Sequence, residues 1–115
     1  MRIVDTELFG PVLSVLRFSS EEQVIDLAND TKYGLAAGIF TKNSALSLRV
    51  AKAVRAGIVW VNTYRAVSPI AEFGGFKESG YGRESGLQAI MDYTRPKTVW
   101  INTSDEPMAN PFVMR

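Results

Sequence analysis

The stretch that most constrains this chain is residues 73–86, FGGFKESGYGRESG, which holds five of its nine glycines. Glycine adopts backbone angles closed to other residues and lets a second backbone or a ligand come close. Five glycines interleaved with Phe73, Phe76, Tyr81, Lys77 and Arg83 describe a shaped loop, because a flexible linker would be rich in serine and poor in aromatics. The loop lies between a strand-like and a helix-like run, where α/β proteins place their sites. Gly80, Gly82 and Gly86 read G-x-G-x-x-x-G, one residue longer than the dinucleotide fingerprint. The acidic residue expected about twenty positions later is missing from any strand, since Glu106 lies in a tail. A structural turn closing over something else is the better reading.

The run before the loop supplies α/β periodicity. Residues 12–18 (VLSVLRF) form a strand apolar on both faces, as in a sheet covered on both sides. Ser19 or Ser20 caps a helix to about Asn29, with Ser19 and Glu22 as a capping box and Val24, Leu27 and Ala28 on one stripe. Residues 35–41 (LAAGIFT) are a second strand, with Gly38 marking a close approach. Asn43 or Ser44 caps a helix to about Ala56 that buries Leu46, Val50, Ala53 and Val54 and stops at Gly57. Residues 58–61 (IVWV) are a third strand, and this alternation predicts a parallel sheet with right-handed crossovers. A helix over 83–93, with Leu87, Ile90 and Met91 inward, and a final strand at 97–102 (KTVWIN) follow. Residues 1–10 read as an irregular lead-in and 103–115 as a tail. Three short strands make a small sheet whose apolar edges want neighbours, as if part of a larger one.

Composition closes off several chemistries. The chain has 115 residues, a net charge of +1 and scattered basic residues, which argues against a nucleic-acid partner. No apolar run reaches the roughly 18 residues of a membrane span, and no signal segment stands at the N-terminus, so a cytoplasmic protein is expected. There is no cysteine, hence no disulfide, thiolate nucleophile or thiolate metal site, and no histidine, the commonest general base and metal ligand. No metal site is expected within these residues, and any chemistry here has to work with carboxylates, lysine, tyrosine or serine, or with groups on another chain.

The elements ELFGPV, GIVWVN and FGGFKESGYGRE followed by DYTRPKTVWI resemble the C-terminal portion of NAD(P)-dependent aldehyde dehydrogenases, over almost the whole chain. That resemblance implies a three-layer, parallel-sheet βαβαβ fragment of the catalytic domain over residues 1–95, with an oligomerisation strand and tail over 96–115. It also makes Met1 an interior methionine, since the family often carries Met-Arg-Ile shortly before E-x-F-G-P. In that motif Glu7 binds the ribose hydroxyls of NAD or NADP and Phe9 packs beside the nicotinamide, while the missing N-terminal part binds most of the cofactor. A carboxylate accepting two hydroxyl hydrogen bonds is physically suited to the task. The loop between GIVWVN and FGG lines the aldehyde tunnel in relatives, which implicates Tyr64, Val67 and Phe73. Glu72 departs from the usual proline and adds a charge near the tunnel mouth. Lys77 and Arg83 are expected to hold the loop through salt bridges and caps. The implied activity is oxidation of a small-molecule aldehyde by a parent protein whose Cys nucleophile and general-base Glu lie upstream, the segment alone being inactive. The implied partner is another subunit, paired through residues 97–102. Two rivals stand beside this reading: a stand-alone subunit-assembly module, and a small nucleotide-binding protein using the glycine loop.

Overall fold

The computed structural model describes residues 2–107, 110 and 112; Met1 and most of the tail beyond 107 lie outside the described residues. The elements run α1 (Arg2–Asp5), α2 (Glu21–Asn29), β1 (Tyr33–Gly34), β2 (Ala36–Ile39), α3 (Ser44–Ala53), β3 (Ile58–Val61), β4 (Phe76–Lys77) and α4 (Gln88–Asp92). The parallel pair β2–β3, in register from Ala36 opposite Ile58 to Ile39 opposite Val61, is connected through α3 as a βαβ unit. β1 pairs antiparallel with β4, Tyr33 opposite Lys77, which docks the glycine loop onto the chain just before that unit.

Helix α2 starts one residue later than the capping box predicts. Ser20 is the N-cap and accepts from the Gln23 amide at 3.1 Å, while the Gln23 side chain accepts from the Ser19 amide at 2.7 Å. Gln23, not Glu22, closes the box, because it stands three residues after the capping serine. Glu21 and Glu22 occupy the first turn, where the helix dipole favours anions. Glu21 also accepts two bonds from the Arg49 guanidinium of α3, at 2.8 and 2.7 Å. Those bonds hold the Glu21 carboxyl below its ordinary range and push Arg49 up.

Asn43 caps α3 through a bond from the Leu46 amide, and the face of Leu46, Val50, Ala53 and Val54 is buried or half-buried, as its spacing predicts. The helix ends at Ala53, three residues short of expectation, for a reason seated on α2. The Asn29 side chain donates to the Ala53 carbonyl at 2.9 Å and accepts from the Arg55 amide at 2.7 Å, satisfying one orphan carbonyl and turning the chain out of the helix. The Asn29 carbonyl in turn accepts from Lys77 Nζ, which also reaches the Thr31 carbonyl, both at 2.9 Å. One residue thus joins the ends of two helices to the glycine loop. Asn29→Ala is expected to cost about 1–3 kcal/mol for the two lost bonds, one of them half-buried. The Arg55 amide, followed by hydrogen exchange, should lose protection to match, and unchanged protection would remove Asn29 from the joint.

Four expectations are corrected. Residues 12–18 belong to neither sheet, and Val12, Leu13, Val15, Leu16 and Phe18 are 48–86% exposed. Their pattern reports a segment made for burial on both faces, but a strand also needs a hydrogen-bonding neighbour, and none lies beside it among the described residues. The helix expected over 83–93 shrinks to α4, because residues 84–86 are held by the loop: Glu84 exchanges backbone bonds with Phe73, the Gly86 amide donates to Pro69, and Ser85 and Gly86 have φ of +59° and +64°. Leu87, Ile90 and Met91, expected inward, are 82%, 55% and 61% exposed. The lead-in contains one helical turn, α1. Residues 97–102 carry no strand, since no neighbour in the described chain offers a ladder.

The extents are 74 × 33 × 29 Å with a radius of gyration of 22.9 Å, against about 13 Å for a compact domain of 100 residues. Among the described residues Val50 is the one buried hydrophobic side chain. Between α2, α3 and β2 an apolar cleft of about 550 Å³ is walled by Phe18, Val24, Ile39, Leu46 and Val54. No helix among the described residues is long and apolar enough to cross a membrane.

Candidate functional site

The site is built on the ends of β2 and β3. Asn62, directly after β3, has φ +53°, and its side chain both accepts from the Thr41 amide and donates to the Thr41 carbonyl, each at 2.9 Å. This two-way clasp fixes where the following loop departs. Asparagine tolerates the left-handed region because its short polar side chain can bond locally. The Trp60 indole donates to the Ala66 carbonyl at 2.7 Å and draws the loop back over the strand. Tyr64 stands edge-on to Trp60, ring centres 5.3 Å apart at 74°, and also lies beside Gly38, the close neighbour that glycine predicts.

The glycine stretch closes the other side. Phe73 and Glu84 exchange backbone hydrogen bonds at 2.7 Å each and pin the two ends of the loop together. Arg83 Nη1 donates to the carbonyls of Gly75 and Gly82 at 2.9 Å, and its guanidinium lies 5.2 Å from the Phe76 ring centre. The structural roles expected of Lys77 and Arg83 hold, made through backbone carbonyls. Lys32 pairs with Glu78 at 3.1 Å, and the bond to that carboxylate raises the Lys32 pKa. The non-glycine residues with positive φ among those described, Asn62, Arg65, Lys77 and Ser85, all fall in this loop region. Conformations of that kind cost about 1–3 kcal/mol each and concentrate at binding and catalytic sites.

Between the two loops lies a cleft of about 510 Å³, whose walls include Trp60, Val67, Pro69, Glu72, Phe73 and Ser85. Val67 and Phe73 therefore share one cleft, and Tyr64 braces its Trp60 wall from the side. Glu7 lines a separate cleft of about 370 Å³ with Leu8, Val12, Ser14 and Tyr33. Phe9 is 97% exposed. Sequence pattern marks Trp60 only as a strand residue and gives Asn62 no role; the signal for Asn62 is the dipeptide Val-Asn ending an apolar run, since asparagine is favoured where the chain turns through positive φ.

Measured against known proteins, residues 1–99 match the model of the aldehyde dehydrogenase family. The (Z)-2-((N-methylformamido)methylene)-5-hydroxybutyrolactone dehydrogenase of Acinetobacter baylyi is 58% identical over 112 residues, covering 97% of this chain and 23% of that protein. Human retinaldehyde dehydrogenase 3 is 51% identical over 106 residues, covering 92% of this chain and 21% of its own length. Among solved structures, PnpE from Pseudomonas sp. WBC-3 superposes with a TM-score of 0.86 at 46% identity, over 97% of this chain and 23% of PnpE. PnpE in complex with nicotinamide adenine dinucleotide gives 0.87 at 47% identity, over 96% of this chain and 23% of PnpE. The chain thus spans less than a quarter of the length of these proteins, and it belongs to the aldehyde dehydrogenase family.

Proposed function

We propose that this chain is the C-terminal segment of an oxidoreductase that oxidises an aldehyde to a carboxylic acid with NAD or NADP. The observation that supports it most is the cleft of about 510 Å³ in which Val67 and Phe73 meet, in a chain matching the family over residues 1–99. Such a cleft, largely apolar with a few polar groups, has the size and character of a small-molecule site. Val67, Phe73 and Tyr64 form one wall of the aldehyde tunnel. The rest of the polypeptide supplies the Cys nucleophile, the general-base Glu and most of the cofactor site, and the segment alone is inactive.

The residues on hand fit a nicotinamide cofactor. No hydrogen bond or ion pair among the described residues engages the Glu7 carboxylate, which faces its own cleft and is free to accept the two hydroxyls of a ribose. The Phe9 ring, 97% exposed, offers an unoccupied aromatic face for a flat heterocycle. The cofactor when bound accepts a hydride from the substrate carbon; Glu7 and Phe9 hold and orient it. In the full-length fold, residues 12–18 become the first strand of a three-layer βαβαβ unit. Residues 97–102 pair with a neighbouring subunit, where Val99, Trp100 and Ile101, 68–92% exposed here, find cover. That same exposure is what favours the second reading, a subunit-assembly module without catalysis.

Glu7→Gln in the full-length enzyme tests the first reading. Losing the charge of a hydrogen-bonding carboxylate should cost about 1.5–3 kcal/mol, or roughly 10- to 150-fold in the KM for the cofactor, with the thermal midpoint held. Unchanged cofactor kinetics would take Glu7 out of the site and leave the assembly module in front.

A further inference from the structure

We propose that the Trp60 indole is a positioning group for the cleft of about 510 Å³: its N–H fixes the Ala66 carbonyl, and through it the Val67 side chain that meets the hydrocarbon tail of an aldehyde. The inference rests on the oxidoreductase reading above and deepens it by naming the bond that sets one wall of the substrate path. Its ground is how few restraints the loop carries. Asn62 is clasped to Thr41 at one end, and at the other the Pro69 carbonyl accepts from the Gly86 amide at 3.1 Å. Between these ends, the bond from Trp60 Nε1 to the Ala66 carbonyl, at 2.7 Å, is the one hydrogen bond made by the backbone of residues 63–67 among the described residues.

Trp60 also holds both neighbours of a strained residue. Arg65 has φ +58°, and a residue other than glycine stays in that left-handed region only where its surroundings over-determine it. Tyr64, before it, stands edge-on to the Trp60 ring with centres 5.3 Å apart, and Ala66, after it, accepts the indole bond. Phenylalanine or leucine would supply apolar bulk at this strand position but carries no donor. Without the N–H the Tyr64 contact remains, but Ala66 is released, Arg65 relaxes toward ordinary backbone angles, and Val67 leaves its place. Trp60, Ala66 and Val67 all line the cleft, so the displacement is felt along its wall.

The test replaces Trp60, in the full-length protein, by β-(3-benzothienyl)alanine, in which sulfur stands for the N–H and the ring shape is kept. Hexanal has a tail long enough to meet Val67, and ethanal has none. The ratio of kcat/KM, hexanal over ethanal, is expected to fall about 4- to 15-fold, the worth of one or two methylene groups left uncovered. Trp60→Phe, with an aromatic face and no donor, should fall at least as far. Because Trp60 acts through Val67, the fall should vanish when the same replacement is made in a Val67→Ala background, a coupling that a general loss of stability would not give. A ratio unchanged in both Trp60 variants, or a fall of the same size with and without the Val67 side chain, overturns the proposal while leaving aldehyde oxidation standing. A natural full-length protein that oxidises neither aldehyde overturns the oxidoreductase reading itself, and the role of Trp60 with it.

Discussion

Gly57→Ala is expected to destabilise the full-length protein by about 3 kcal/mol or more, at the upper end of what overpacking costs. The reason is a crossing of two backbones. A Cβ on Gly57 would overlap the Gly74 carbonyl oxygen and lie 2.8 Å from the Gly74 carbonyl carbon. Neither is a side chain that could swing away. Gly57 is held on the other side by its amide bond to the Gly34 carbonyl at 3.0 Å. To admit one methyl, either β3 must leave its register with β2 or the glycine loop must lift from the βαβ unit, and both moves open the proposed aldehyde cleft. Gly10→Ala and Gly82→Ala are the controls, since nothing lies within 4 Å of a Cβ at either place and neither has positive φ. They should stay within about 0.5 kcal/mol. Thermal or urea unfolding of the three variants separates the cases, and a Gly57 variant as stable as the controls would show that the two backbones do not cross this closely.

The role of Gly57 marks a boundary in what the sequence could show. As a helix stop it fitted every local rule, yet the helix had already ended at Ala53 under the hold of Asn29, twenty-four residues earlier. Periodicity found the face of α3, Val24 and Leu27 of α2 and the run 58–61, because those signals lie within a dozen residues; Ala28, expected on the same stripe of α2, is exposed. The parallel pairing of β2 and β3 followed from the strand–helix–strand order, a rule of chain connection that needs no long-range knowledge. The docking of the loop through β1 and β4 was illegible: two residues on each side carry no periodicity, and the pairing depends on Gly34 and Phe76 meeting across forty-two positions. The same holds at the site. The family resemblance pointed to Val67 and Phe73, which share a cleft, whereas the clasp of Asn62 on Thr41 and the reach of Trp60 to Ala66 are contacts that exist only once strands have paired. Residues 12–18 and 97–102 show the reverse case. Their apolar character was read correctly and still formed no strand, because a pattern states what a segment needs and not whether the chain at hand provides it.

Produced by itself, the 115-residue chain is therefore expected to associate, and not to behave as a compact monomer of 12.7 kDa. Burial of apolar surface is the main favourable term in folding, and among the described residues Val50 stands alone as a buried hydrophobic side chain. Phe9, Leu13, Ile70, Tyr81, Leu87, Trp100 and Ile101 are each at least 79% exposed. Apolar patches of that extent mark surfaces made for a neighbour, and residues 12–18 and 97–102 add unpaired backbone able to form a ladder with another chain. Ordering the backbone costs roughly 1–2 kcal/mol per residue whether or not a core forms, so contacts between copies have to supply what this chain lacks within itself, with exchanged elements as an easy route to a dimer. Light scattering on the chromatographed protein should give a mass of two chains or more, with binding of a hydrophobic dye. The same sample should reduce neither NAD nor NADP in the presence of aldehydes, having no cysteine to form the covalent intermediate. A stable monomer at high concentration, with cooperative unfolding and a radius of gyration near 13 Å, would mean that the apolar runs find partners inside the chain, and it would turn the reading from a segment of an enzyme to an independent domain.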